Sequence, residues 1–175
     1  MELVKEISIR KLGRAKSLLV ILFGLGLMVC VLLLRYDIYT HSKPLYVLIA
    51  LPFVMVLHEA SHGLLFKVWT GKVKFGAKWI TRLGGPIFYA TSPNSTLSRD
   101  KFIAVALAPQ VLTILFFLLS YFSFQQWFLI GAVAFAATNL GGGCMDLYSI
   151  FVLLRFPKSV KVQDSLEGLS IYKES

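Results

Sequence analysis

Acid is scarce in this chain. Of 175 residues only 9 are Asp or Glu, against 18 Lys and Arg, and the net charge is +9. Charged residues make up 15% of the sequence, well short of the roughly one quarter usual in soluble domains. Cysteine is almost absent too. Cys30 and Cys144 both fall in apolar segments, which excludes a disulfide framework and reads them as small buried hydrophobes. Only 3 histidines occur, so any imidazole chemistry has few candidates. No aromatic-basic recognition motif accompanies the excess of positive charge, which argues against nucleic acid as a partner.

Apolar residues fill the space left by charge. Hydrophobic residues reach 57%, aromatics 14%, and the mean hydropathy is +0.72. A length of 175 residues favours one domain. This composition predicts an all-α polytopic membrane protein of four transmembrane helices. The spans are expected at about 17–34, 45–69, 102–124 and 127–154. Residues 1–16 carry Lys5, Arg10, Lys11, Arg14 and Lys16 among Leu3, Val4, Ile7, Ile9 and Leu12. They are expected to form a short basic juxtamembrane helix attracted to anionic lipid. The apolar run after them ends in Leu33, Leu34, Arg35 and Tyr36, without the small residues of a cleavage site, so it is read as a retained span rather than a signal peptide.

Between the second and third spans, residues 70–101 change character. Lys72, Val73, Lys74 and Phe75 alternate, and Ile87 to Thr91 is rich in β-formers, with glycine and proline punctuating both. Two or three short strands or extended segments are expected here, near the membrane surface. The tail, 156–175, alternates at Val160 to Gln163 and again at Leu169 to Tyr172, consistent with either a hairpin or a flexible cytoplasmic tail. Four spans place both termini on one side. Of the 18 basic residues, all but Arg35 and Lys43 then lie on that side. That asymmetry predicts a cytoplasmic-membrane protein with the termini and the 70–101 loop in the cytoplasm.

Five residues in the second span carry the chemistry: His58, Glu59, Ala60, Ser61 and His62. On a helix, positions four apart share one face. Two imidazoles then point at one metal ion with a carboxylate beside it, the H-E-x-x-H arrangement of zinc hydrolases. An ionisable group inside a membrane helix is costly and seldom idle. His41, in the loop before this span, reads as a surface histidine.

A catalytic zinc needs a third protein ligand and an open position. Only two acids lie within apolar spans, Glu59 and Asp146. Asp146 stands nine residues before Arg155, as His58 stands nine before Lys67, so each lies roughly 13 Å from its inner basic residue at 1.5 Å per helical residue. Asp146 is therefore assigned as the third ligand. Thr138 to Asp146 interrupts the fourth span with Gly141, Gly142 and Gly143. A regular helix does not favour three glycines in a row, and irregular backbone at that depth belongs beside a cavity. With Zn2+ at His58, His62 and Asp146, Glu59 is the general base that deprotonates the attacking water. Asn139, on the rim of the glycine break, is a candidate donor to the oxyanion.

His58 to His62 in a membrane segment, Ala108-Pro109 in the next, and Asn139 followed by Asp146 together resemble the site-2 protease type of intramembrane metalloprotease. More closely, the chain is similar to the small bacterial zincin-peptidase family, four-span proteins once grouped as a domain of unknown function. That resemblance covers about 45–154 and implies zinc at His58, His62 and Asp146 with Glu59 catalytic. The expected function is hydrolysis of a peptide bond in a membrane protein or peptide near the cytoplasmic face. A non-catalytic protein using the same three residues to bind metal for structure, sensing or transport is the alternative.

Overall fold

The computed structural model of the chain describes residues 1–8, 14–34, 44–80, 85–122, 125–165 and 168–173. Five helices and six strands are formed by the described residues. In chain order they are β1 (Glu2–Ser8), α1 (Arg14–Leu34), α2 (Pro44–Thr70), β2 (Lys74–Ile80), β3 (Gly85–Thr91) and β4 (Thr96–Ser98). Then follow α3 (Arg99–Phe122), α4 (Gln126–Gly142), α5 (Cys144–Leu153), β5 (Lys161–Ser165) and β6 (Gly168–Lys173).

The helices pack around α4, which touches α1, α2 and α3. Small side chains make that central position workable, since Ala132, Ala134, Ala136 and Ala137 are all buried. Where α1 crosses α4, a Cβ on Gly24 would lie 2.6 Å from the Gly141 carbonyl oxygen, so only glycine allows this approach. α2 ends because Gly71 takes a left-handed φ of 71° and its N–H returns to the Lys67 carbonyl at 3.0 Å.

Two antiparallel sheets complete the fold. β2 and β3 form a hairpin, with Phe75 opposite Ala90 and Lys74 opposite Thr91. The larger sheet runs β1-β6-β5-β4, drawing the two ends of the chain and the entrance to α3 together. Its inner face carries Ile7, Leu97, Val162, Leu169 and Ile171, which pack against Phe66 of α2, Phe102 and Val105 of α3, and Val152 and Leu153 of α5. Arg99 fastens the join, donating from Nη1 to the Phe156 carbonyl at 2.7 Å.

Several expectations need correcting. The protein is not an all-α four-span bundle. Among the described residues one helix, Arg99–Phe122, is long and apolar enough to cross a membrane, or two where Phe128–Gly142 and Cys144–Leu153 count as one span bent by 45°. In the region of the expected first span, the apolar stretch of α1 is Leu18–Leu34. Hydropathy registers apolar runs but is blind to strands, whose inward residues are separated by polar ones. The four-stranded sheet was hidden in this way. The N-terminal segment illustrates it. Glu2–Ser8 is a strand, not a helix, because the open edge of β6 pairs with it from Glu2↔Lys173 to Ser8↔Gly168. Residues 9–13 and His41 lie outside the described residues. The glycine interruption is smaller than expected. α4 continues through Gly142, and only Gly143 leaves the helix, its N–H still bonded to Asn139 O at 3.0 Å.

Candidate metal centre

His58 and His62 sit one turn apart on α2, their rings 4.9 Å between centroids and nearly perpendicular. Their Nε2 atoms are 3.3 Å apart. Asp146 enters from the first turn of α5, placing Oδ2 3.1 Å from His58 Nε2 and 3.4 Å from His62 Nε2. One donor atom from each residue thus meets at one point, all within 4.8 Å of one another.

Each histidine is held from behind. His58 Nδ1 lies 2.9 Å from Asn139 Oδ1. The Asn139 amide nitrogen donates to Pro109 O at 2.6 Å and to Thr113 Oγ1 at 2.7 Å, so Oδ1 is its acceptor end. That acceptor places the proton on His58 Nδ1 and leaves Nε2 with a lone pair. His62 Nδ1 lies 2.8 Å from the carbonyl of Val105, which fixes the same tautomer. The availability of that carbonyl follows from sequence. Pro109 sits inside α3 and has no N–H, so Val105, four residues earlier, lacks its intrahelical donor. His62 supplies one instead. Ala108-Pro109 thereby acquires a physical role in this site.

The bend at Gly143 lets α5 reach the histidines. A Cβ there would collide with Gln110 Nε2 and come within 3.4 Å of His58 Cε1. Without it, Asp146 emerges directly beneath the two rings. The donor set of two neutral nitrogens and one carboxylate oxygen, with both outer nitrogens anchored, suits zinc and leaves a fourth position for water.

Glu59 points into the same space. Its Oε2 accepts a hydrogen bond from the Ala90 N–H at 2.6 Å. Ala90 lies opposite Phe75 of β2, yet its N–H turns away from β2, so this edge of β3 faces the site. Glu59, His58, His62, Asp146 and the β3 edge line one pocket of about 470 Å³. Asn139 is 1% exposed and both its N–H groups are used within the fold. Its visible role is to orient His58, and donating to an oxyanion would require one of those bonds to open. Cys144 packs beside Gly24 of α1 and stands outside the ligand group.

Sequence reasoning missed four things here: the Ala90 clamp on Glu59, the Val105 carbonyl behind His62, the Asn139 bond to His58, and two residues of the cavity wall, Thr91 and Asp164. Only Pro109 and the alternation of Val160, Val162 and Asp164 left a signal in the sequence.

The chain matches, over residues 51–161, the family described as "Putative zincin peptidase". The match spans well over half of the chain and includes all three clustered residues and Glu59. No curated protein and no solved structure matches it.

Proposed function

The chain belongs to this zincin peptidase family, and from that premise we propose that it is a zinc-dependent peptidase acting on a peptide at or within a membrane. The observation that carries the reading is the convergence of His58 Nε2, His62 Nε2 and Asp146 Oδ2, each histidine anchored through its other nitrogen. Zinc held there supplies a Lewis acid that acidifies a water and polarises the scissile carbonyl. The remaining work belongs to the chain. Ala90 ties down one Glu59 oxygen and leaves the other free to take the proton of the attacking water. Glu59 then returns that proton to the leaving nitrogen, so that amide and water become acid and amine. The outward edge of β3 supports an extended substrate strand by backbone pairing.

The membrane reading rests on the outer helix surfaces. Leu107, Val111, Ile114 and Leu118 recur along α3 at helical spacing, and all are exposed. α1 shows the same with Leu18, Leu22, Leu25 and Val29. Apolar surface of this extent fits lipid rather than water. The concentration of basic residues near the sheet strands supports a cytoplasmic position for the sheet.

Glu59→Gln tests the reading. The variant should keep one zinc by elemental analysis and lose peptide cleavage by roughly 10²–10⁴-fold. Wild-type cleavage by that variant would remove Glu59 from catalysis, and zinc bound with no cleavage by either protein would replace catalysis with metal binding alone.

A further inference from the structure

Asp164 occupies a position where the sheet calls for an apolar residue. Val160, just before β5, and Val162 within it are buried, and the two-residue period of a strand puts Asp164 on the same face as Val162. Its partner across the ladder, Leu169, is buried, and Ile7 of β1 lies beyond it in register. Asp164 extends that row not into the core but into the wall of the cavity that holds Glu59 and the metal ligands. The ionisable groups acting on it are His62, Asp146 and Glu59, so no lysine or arginine among the described residues neutralises it.

A second polar group faces the same cavity without a partner. Thr91, at the end of β3, is 4% exposed, and its Oγ1 makes no hydrogen bond. It stands near the Asp164 carboxyl without closing a bond of full geometry onto it. Buried polar groups are nearly always satisfied, and one that is not calls for a missing partner. Burial pushes the Asp164 carboxyl up to about 7, because desolvation outweighs the opposing pull of Thr91 and His62. Apolar residues line the same cavity, Leu169 and Ile7 in register with Asp164 and Phe88 on β3.

We propose that Asp164 and Thr91 form a specificity subsite of this cavity that takes a lysine or arginine side chain of the peptide being cleaved. The aliphatic stem lies along Ile7, Phe88 and Leu169, and the cationic head reaches the carboxylate and the hydroxyl. This rests on the peptidase reading and gives it a substrate class. Asp164 binds the substrate and takes no part in bond cleavage.

The test uses the zinc-loaded full chain in lipid discs and paired peptides that differ only in lysine or norleucine, scanned through each position flanking the scissile bond. At one position wild type should prefer lysine by about tenfold or more in kcat/KM. Asp164→Asn should bring that ratio to within about twofold of unity, and Asp164→Lys should turn it toward glutamate. Thr91→Val should lower the lysine preference by a smaller factor, and bound zinc checks that each variant is folded. A ratio unchanged by Asp164→Asn, or no lysine preference at any position, overturns the subsite while leaving the peptidase intact. Cleavage no faster in wild type than in Glu59→Gln overturns the peptidase reading, and the subsite with it.

Discussion

The helical half and the sheet half of this protein are built inside out relative to each other. Between the sheet and the helix ends, burial follows the rule for water: Ile7, Leu97, Val162, Leu169 and Ile171 are inside, and Glu2, Lys5 and Lys173 are outside. Among α2, α3 and α4 the order reverses. His62, Gln110, Thr113 and Asn139 are buried, while Val111, Ile114 and Leu118 are exposed. Polar groups can occupy that interior because most of their atoms satisfy one another, Gln110 Nε2 being an exception. Asn139 donates to Thr113, Thr113 donates to Gln110, and Asn139 accepts from His58. A polar interior costs little when its bonds are closed and much when one is removed. The apolar interior of the sheet loses only the contacts that a substitution deletes.

The largest predicted difference lies at the centre of the helical half. Asp146→Ala removes one ligand of three and should abolish stoichiometric zinc binding, read by elemental analysis of purified protein. Next come the groups behind the ligands. Asn139→Ala should lower zinc affinity by roughly 10–100-fold in a chelator competition. Pro109→Ala should act in the same direction and more weakly, because the restored N–H competes with His62 for the Val105 carbonyl.

The two interiors can then be compared directly. Ile171→Ala, at a fully buried sheet position, should cost about 2–4 kcal/mol in denaturant unfolding. Ile114→Ala, at 60% exposure on α3, should shift stability by less than about 0.5 kcal/mol in detergent. Equal losses at both positions would mean that the face of α3 is covered by protein.

The last effect is one of pH. Burial raises the folded carboxyl of Asp164 to about 7 from its ordinary 3.8. Between those values the folded state holds a proton that the unfolded state has released. Stability of the metal-free protein should therefore gain from Asp164 as pH falls from 7 toward 4 and lose that gain as pH rises again. Asp164→Asn should flatten the dependence, by about 1–2 kcal/mol across the window, in melting curves run beside wild type.

Much of the centre is legible in the residues because its geometry is local. The helix period alone puts His58 above His62, and the shortage of acid leaves Asp146 as the one carboxylate besides Glu59 in the apolar segments. The β-hairpin after α2 and the tail hairpin also announce themselves through alternation. The N-terminal strand does not. Of Glu2 to Ile7 only Ile7 is buried, and the strand's conformation comes from the edge of β6, more than 150 residues away in register from Glu2↔Lys173.

What the sequence determines by itself is which side chains carry the chemistry: two histidines one turn apart, a glutamate between them, and an aspartate after a glycine bend. Tertiary structure decides how each is used. The bonds that fix His58, His62 and Glu59 span 81, 43 and 31 residues, and no local period encodes partners at such separations. The same holds for Asp164, which is an ordinary strand residue until the sheet closes over the cavity. Helical spacing is a property of neighbours, whereas a ligand's free lone pair and a carboxylate's solitude depend on what the rest of the chain folds against them.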